Sequence, residues 1–206
     1  KKLQEYATAH GSQTESFFAG EAEKGLRLLE VLRRKYDVVV ANPPYSGHKN
    51  INEIIREKLK SLYPERAGDL FSVFISRCLS FCHFQGRCGM ITIHSFMFTT
   101  SYEILRDEIL KLSAIETGCH LGTKTEFDVA NKTAQGFVAF TIRKENIEKN
   151  LLKSVSTWIR VTNEDGVDKK YKLEQFLKTN SIDGYLYCYK NYFEIPGSPW
   201  AYWVSS

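Results

Sequence analysis

The sequence predicts an α/β fold, in which helices cover both faces of a parallel or mixed sheet. Short apolar runs that suit buried strands alternate along the chain with segments of helical periodicity. Hydrophobic residues make up 43% of the 206 residues and charged residues 25%, a balance typical of a globular domain. A chain of this length can bury one sizeable core.

The first elements are predicted from the spacing of apolar residues. Residues 1–19 lack a clear period, whereas leucines and a valine at helical spacing predict a helix over 21–35. The short apolar run 36–41 suits a strand buried on both faces. Residues 50–62 then predict an exposed helix with one apolar face.

A strongly apolar helix is predicted next. Asp69 is a candidate N-cap, the helix covers residues 69–84, and Gly86 ends it. Residues 88–94 read Cys-Gly-Met-Ile-Thr-Ile-His and predict the next strand.

The following elements are shorter. Ser101 is predicted to cap a helix over 102–112, which leads into a short strand at 114–117. Residues 118–133 predict a polar loop, and residues 136–143 predict another strand of β-branched and aromatic residues.

A charge run over residues 143–153 predicts a boundary between residues 1–150 and 151–206. Short strand or helix pieces separated by polar turns follow it. The chain ends in a turn-rich aromatic segment, Ile195–Trp203.

Cysteine usage argues against a disulfide framework, because the five cysteines are odd in number and irregularly spaced. Cys78, Cys82, His83 and Cys88 lie close in sequence and suggest zinc as an alternative. No paired Cys-x-x-Cys is present, and Cys78 and Cys82 fall on the predicted apolar helix. We therefore expect buried thiols and no metal.

The net charge of +4 permits a polyanionic partner without requiring one. No apolar run approaches the roughly 20 residues of a membrane span, so we expect a cytoplasmic protein with no membrane partner.

The most informative stretch is Asp37–Tyr45, which reads Asp-Val-Val-Val-Ala-Asn-Pro-Pro-Tyr. A buried strand here runs directly into a rigid polar loop, and ligands bind beyond the carboxyl ends of strands in such sheets. Asn42 contributes an amide acceptor, Pro43 and Pro44 lock the backbone, and Tyr45 adds a flat stacking surface. The alternative is a plain Pro-Pro turn in which Asn42 has only a turn role.

Such a loop can grip a planar group that carries an amino substituent. Asn42 Oδ1 and the Pro43 carbonyl can both accept hydrogen bonds from one exocyclic NH2, which favours a tetrahedral and more nucleophilic nitrogen. Tyr45 would stack on the ring, and a base taken from a duplex must first be flipped out.

The Asp37–Tyr45 stretch is similar to motif IV of the amino-methyltransferases that use S-adenosylmethionine, above all the DNA N6-adenine family. The resemblance covers residues 36–143 together with the aromatic tail. Further stretches resemble family elements in the same order: residues 67–74, 86–96, 105–110, 122–140 and 195–203.

The resemblance implies a partial Rossmann-like methyltransferase sheet with catalytic residues Asn42, Pro43, Pro44 and Tyr45. Tyr45 and Phe127 would contact the substrate base, with core packing as the alternative for Phe127. Asp69 would line the cofactor side of the pocket, with helix capping as the alternative.

His94 and Ser95 stand where the family has Pro or Arg before Ser. We expect them to be a polar pair at the end of a strand.

The family further implies S-adenosylmethionine as cofactor, double-stranded DNA as substrate, and a restriction-modification or phage-exclusion system with possible partner subunits. Residues 1–150 would then be a partial catalytic domain, and 151–206 a linker and the start of an α+β target-recognition region.

The family's glycine-rich cofactor turn does not appear before Asn42, since Gly20 and Gly25 do not follow a strand. We therefore expect a fragment that is inactive alone.

Three other functions stay open. Asn-Pro-Pro-Tyr also occurs in enzymes that methylate protein glutamine and in some RNA base methyltransferases. A non-catalytic DNA-binding module could retain the same sheet. A nucleotide-binding protein with a coincidental turn is the last alternative, although no phosphate-binding Gly-x-x-x-x-Gly-Lys loop is present.

Overall fold

The computed structural model describes residues 13–45, 51–64, 69–123, 136–146, 154–162, 166–179 and 184–204. The chain divides into two compact units, residues 1–36 and residues 37–206.

The first unit contains helix α1 (Gln13–Arg33). This helix begins well before residue 21, where the apolar period predicted its start. Ion pairs one turn apart, such as that between Arg27 and Glu23 at 2.7 Å, support its exposed surface. Helix formation without a regular apolar stripe explains why the period alone placed the start too late.

The second unit is built on a six-stranded sheet of order β1-β2-β4-β3-β5-β6. Its strands are β1 (Tyr36–Ala41), β2 (Cys82–Ile93), β3 (Ser113–Gly122), β4 (Phe137–Lys144), β5 (Val155–Arg160) and β6 (Tyr185–Cys188). Strand β4 runs antiparallel to β2 and β3, whereas β5 is parallel to β3 and antiparallel to β6. The predicted α/β class with a mixed sheet is confirmed.

Four helices and three short 3-10 turns accompany the sheet within the described part of this unit. The helices are α2 (Glu53–Leu62), α3 (Leu70–Phe81), α4 (Glu103–Leu112) and α5 (Gly166–Thr179). The 3-10 turns are His94–Met97, Thr100–Tyr102 and Tyr189–Phe193. The strands that follow residue 150 therefore continue the same sheet rather than starting another.

Two predicted boundaries around α3 are wrong. Helix α3 ends at Phe81, and Cys82 already begins β2, so Gly86 lies inside a strand and does not end the helix. A continuous apolar run does not distinguish a helix from a strand by its period. Strand β2 pairs with β4 from Arg87, opposite Arg143, onward.

Helix α4 and strand β3 also differ from the prediction. Ser101 lies in a 3-10 turn and does not cap the helix, which begins at Glu103. Strand β3 continues to Gly122 rather than ending at residue 117. Its polar residues stay extended because β4 and β5 pair with it on both sides.

Strand β1 is buried on one face only, so the prediction of burial on both faces is wrong. Val39 and Ala41 pack against the core, whereas Val38 and Val40 are 62% and 78% exposed. The exposed face continues as a groove of about 510 Å³ whose lining includes Val40, Ile91 and Ala139. The alternation of side chains along a strand explains the difference between the two faces.

The aromatic tail closes the packed face of the sheet. Trp200 and Tyr202 are buried, and the Tyr202 ring stacks on that of Trp158 with centroids 4.3 Å apart and planes 8° apart. The backbone N–H of Trp200 donates to the Met97 carbonyl at 2.9 Å. These contacts join the end of the chain to the turn that follows β2.

Arg106 strengthens this junction from within the core. It is 2% exposed, and its guanidinium donates to the carbonyls of Phe96, Thr99 and Gly197 at 2.8, 2.7 and 2.9 Å. A buried cation is tolerated when its donors are satisfied, and here three backbone acceptors share the charge. One side chain thereby links α4, the turns after β2 and the tail.

We predict that Gly118→Ala lowers the free energy of unfolding by about 1–3 kcal/mol, as overpacking of a core does. A Cβ at Gly118 would come within 2.1 Å of the Trp158 ring, which is itself held by Tyr202. Gly89→Ala in the same sheet is the matched control, since a Cβ there meets nothing within 4 Å. Equal urea midpoints for the two variants would contradict the packing described.

Candidate substrate site

The loop Asn42–Tyr45 leaves the end of β1 and combines exposed and buried residues. Asn42 and Pro44 are exposed, Pro43 is buried and Tyr45 is half-buried. Burial of Pro43 anchors the loop, and the two fixed proline φ angles limit its freedom. Asn42 can therefore present its amide from a constrained backbone.

Tyr45 is held by three contacts. Its hydroxyl donates to Asn42 Oδ1 and lies 3.4 Å from the Ile91 carbonyl oxygen. Its ring meets the Phe137 ring edge-on, with centroids 5.2 Å apart. Burial raises the pKa of Tyr45 above its usual range, so the phenol is neutral and remains a donor.

These contacts locate the loop at the end of the sheet where β2 finishes and β4 starts. Ile91 is close to the carboxyl end of β2, and Phe137 begins β4, which runs antiparallel to β2. Asn42 and Tyr45 therefore lie where β2 ends and β4 begins. The carboxyl ends of strands are where open α/β sheets bind ligands.

A second polar cluster lies at the same end of the sheet, where β2 and β3 both finish. His94 follows β2, and its Nδ1 is 2.6 Å from Nε2 of His120 in β3. Nδ1 of His120 is 3.1 Å from the Tyr202 hydroxyl. The rings of Phe98 and Trp203 surround the pair, with centroids 5.8 and 6.0 Å from that of His120.

Both histidines of this cluster are neutral at pH 7. Burial lowers the pKa of His94. Burial, followed by the neighbouring His94 ring and the cations Arg160 and Lys169, lowers the pKa of His120 to about 3. A neutral imidazole has one donor and one acceptor nitrogen, so the pair can form a directional hydrogen bond.

Asp69 lies at the N-terminus of α3 but makes no side-chain capping hydrogen bond there. Its Oδ2 accepts a hydrogen bond from the Tyr102 hydroxyl instead. Burial, followed by this bond, raises the pKa of Tyr102. Asp69 is thus tied to the turn that precedes α4, and its predicted role towards a cofactor stays a proposal.

The other predicted residues differ in how far the structure describes them. Phe127 lies outside the described residues. His94 and Ser95 do follow the end of β2, as expected, but in a 3-10 turn. His94 belongs to the polar cluster described above, and the Ser95 carbonyl accepts hydrogen bonds from Phe98 and Thr99.

Sequence reasoning missed His120 and Tyr202. The sequence predicts a polar loop around His120 because Gly118, Gly122 and Asn131 favour turns. Tyr202 belongs to an aromatic tail whose partner lies 82 positions earlier in the chain. The alternation of burial that continues past residue 117 is visible only in the structure.

The described residues do not by themselves form a site for S-adenosylmethionine. Gly20 and Gly25 both lie inside α1, so within the described part no glycine turn follows a strand before Asn42. Asp69 is the one predicted cofactor residue, and its Oδ2 is already engaged by Tyr102. The described chain does bring Asn42 and Tyr45 together where β2 ends.

The cysteines are free, and Cys78, Cys82 and Cys88 are buried near the junction of α3 and β2. Cys82 starts β2, so the prediction that it lies on the helix is wrong. In the described ranges no group of three His, Cys, Asp or Glu side chains is arranged to hold a metal ion. None of the described helices combines the length and apolar character that a membrane crossing requires.

The fold and the Asn-Pro-Pro-Tyr loop at the edge of its sheet define the class of the protein, an α/β methyltransferase-type domain. The chain belongs to the Eco57I restriction-modification methylase family, whose model matches residues 3–127. The family resemblance inferred from the motifs is thereby confirmed.

Two curated relatives are similar over most of this chain. The adenine-specific methyltransferase BrxX of Escherichia coli O9:H4 (strain HS) is 31% identical over 180 residues. The adenine-specific methyltransferase PglX of Lacticaseibacillus casei (strain Zhang) is 30% identical over 182 residues. The alignments cover 85% and 87% of this chain but only 14% and 15% of the two relatives.

Solved structures of restriction-modification enzymes share the fold. A nuclease-deletion mutant of the type ISP enzyme LlaGI, in complex with a DNA substrate mimic, has a TM-score of 0.61 at 15% identity and covers 92% of this chain and 20% of its own. The ATP-dependent type ISP enzyme LlaBIII bound to DNA also has a TM-score of 0.61, at 17% identity, covering 89% and 14%. At these identities the likeness concerns the fold alone.

The buried histidines predict a dependence of stability on pH. An unfolded histidine titrates near pH 6.5, whereas folded His120 stays neutral down to about pH 3. Between these values the unfolded state binds a proton that the folded state does not, so stability falls as the pH is lowered. We expect a loss of up to about 1.4 kcal/mol per pH unit for each such histidine.

Urea denaturation between pH 7 and pH 4 measures this slope. His120→Phe removes one titrating group and should make the slope shallower than in the parent protein. The interpretation fails if His120→Phe and the parent protein lose stability at the same rate.

Proposed function

We propose that the protein to which this chain belongs is a site-specific DNA adenine methyltransferase. It would transfer a methyl group from S-adenosylmethionine to the N6 amino group of a flipped adenine, in restriction-modification or phage defence. The observation that supports this most directly is the Asn42–Tyr45 pair at the carboxyl end of β2, in a member of the Eco57I methylase family.

Asn42 would orient the amine that accepts the methyl group. Its side chain is exposed, and its Oδ1 accepts the Tyr45 hydroxyl hydrogen in the structure. An incoming exocyclic amine can replace the Tyr45 hydroxyl as the donor to Asn42 Oδ1. It can also donate to the Pro43 carbonyl of the same loop. Two acceptors on one NH2 draw its hydrogens to one side and leave the nitrogen lone pair directed away from them.

Tyr45 supplies the stacking surface. Its ring is braced by Phe137 and its hydroxyl by the Asn42 amide, so the ring plane is defined before a base arrives. A preformed aromatic surface stabilises a base that has lost its stacking in the duplex. S-adenosylmethionine, when bound, supplies an electrophilic methyl group, and the residues described here would provide the acceptor side.

Parts of the chain beyond the loop would contribute to the same function. Asp69 would line the cofactor side, Phe127 would be a second contact to the base, and residues 151–206 would begin the region that reads the target sequence. Double-stranded DNA in the cytoplasm would be the substrate, with defence-system subunits as partners. Strands β5 and β6, which belong to residues 151–206, would join this region to the sheet that carries the site.

We predict that Asn42→Ala in the intact protein lowers the methylation rate by at least about 100-fold, since it removes an acceptor that positions the nucleophile. Because Asn42 is exposed, folding should be retained. Sequencing that maps N6-methyladenine in cellular DNA measures the effect. Asn52→Ala is the matched control, an exposed asparagine that caps α2 and should leave the mark in place.

Unchanged methylation in Asn42→Ala would overturn the catalytic role of Asn42. The substrate class is decided separately by offering DNA, RNA and protein to the intact protein with labelled S-adenosylmethionine. Label in RNA or in protein glutamine, with none in DNA, would replace the proposed substrate by one of the alternatives.

We predict a graded effect at Tyr45. Tyr45→Ala should reduce methylation about 10- to 100-fold, because stacking on a base is worth about 1–3 kcal/mol. Tyr45→Phe keeps the ring and loses only the hydroxyl that binds Asn42, so it should retain most activity. Single-turnover rates on a target duplex compare the two, and a larger loss in Tyr45→Phe would rule out stacking as the main role.

A further inference from the structure

A continuous series of hydrogen bonds reaches the end of the sheet where Tyr45 lies. It joins the side chains of His94, His120 and Tyr202. Its links are 2.6 Å between the two imidazoles and 3.1 Å between His120 and the Tyr202 hydroxyl. The remaining nitrogen, Nε2 of His94, makes no hydrogen bond within the described residues and is not among their buried unsatisfied atoms. Its N–H is therefore the one in this series that can donate to a group outside the described residues.

The direction of the hydrogen bonds follows from Tyr202. Its hydroxyl belongs to a residue that is 2% exposed, and in the described part of the chain its one acceptor is Nδ1 of His120. A buried hydroxyl without an acceptor is costly, so Tyr202 donates to His120. Neutral His120 then carries its proton on Nε2 and donates to Nδ1 of His94. His94 must consequently carry its own proton on the outward Nε2.

The orientation of this outward N–H is fixed by its surroundings. The His94 ring lies against Gly136. A Cβ at this position would come within 2.2 Å of the ring, so only glycine fits at position 136. The His94 backbone N–H also donates to the Gly136 carbonyl at 2.9 Å. Burial lowers the pKa of His94, which keeps the ring neutral and its pattern of donors constant at pH 7.

His94 and the stacking surface of Tyr45 lie at the same end of β2. Gly136, which holds the His94 ring, directly precedes Phe137, whose ring contacts Tyr45. The Ile91 carbonyl, 3.4 Å from the Tyr45 hydroxyl, is three residues before His94, or about 10 Å along an extended strand. A nucleotide that stacks on Tyr45 can span this separation.

We infer that His94 is a specificity-determining residue that contacts the substrate through its Nε2–H, which donates to an unprotonated ring nitrogen of the target base. The inference rests on the proposed function. Asn42 accepts from the amino group while His94 donates to the ring, so the site would test both kinds of group on one base. Adenine offers ring-nitrogen acceptors at N1, N3 and N7. Guanine shares the acceptors N3 and N7, but its N1 carries a proton, so a contact at N1 would also exclude guanine.

The test uses the intact protein and a duplex containing its mapped target site. Single-turnover methylation is measured on adenine and on 1-deaza-, 3-deaza- and 7-deazaadenine at the target position, for the parent protein and for His94→Phe. We expect the parent to lose about tenfold on one analogue, as for one neutral hydrogen bond. His94→Phe should lose a similar factor on adenine and show no further loss on that analogue.

Two additional variants separate recognition from structure. His94→Gln keeps a neutral N–H near the position of Nε2 and should restore part of the discrimination. Tyr202→Phe keeps the ring on Trp158 but removes the hydroxyl that sets the proton positions, so discrimination should weaken. If His94→Phe is inactive on every substrate, Tyr202→Phe decides, and unchanged discrimination in it would overturn the inference.

The remaining outcomes are also decisive. Equal sensitivity of the parent and His94→Phe to every analogue, or no sensitivity in the parent, would overturn the role of His94 and leave the proposed function standing. A parent protein that does not methylate the natural duplex would overturn the proposed function, and the inference with it.

Discussion

Docking of the C-terminal aromatic segment onto the sheet is the constraint on which the geometry of the candidate site depends. Trp200 packs edge-on against Phe96 and Phe140, and Tyr202 stacks on Trp158. Arg106 fastens the same segment through the Gly197 carbonyl. Without these contacts the turn after β2 would lose its support, and His120 would lose the hydroxyl that orients its imidazole.

This arrangement explains why two imidazoles can be buried side by side. A buried polar group is costly unless it is hydrogen-bonded. Tyr202 and His120 satisfy each other, and His94 satisfies the next nitrogen, so the series ends at Nε2 of the half-buried His94. The neighbouring cations Arg160 and Lys169 reinforce neutrality by disfavouring a charged His120. The aromatic packing and the hydrogen-bond direction are therefore parts of one structural solution.

The sequence was sufficient for what is local. Strand β1 and the loop Asn42–Tyr45 were predicted with their observed bounds, because β-branched residues followed by two prolines leave the backbone few alternatives. No local pattern marks the start of β2 at Cys82, and the extent of β3 depends on pairing with β4 and β5, which a local pattern does not contain. The contact between His120 and Tyr202 is equally non-local, so it emerged only from the fold.

The hydrogen bond from Tyr45 to Asn42 has a consequence for how a substrate enters the site. In the structure the amide oxygen that would receive the amine is occupied by a phenolic donor from the same loop. A base must therefore exchange one hydrogen bond for another rather than fill an unused acceptor, and this exchange lowers the net gain from the amine alone. In the proposed reaction, affinity would then come mainly from stacking on the braced Tyr45 ring, while the amide would direct the nitrogen lone pair. Tyr45 would retain the base, and Asn42 would orient the atom that reacts.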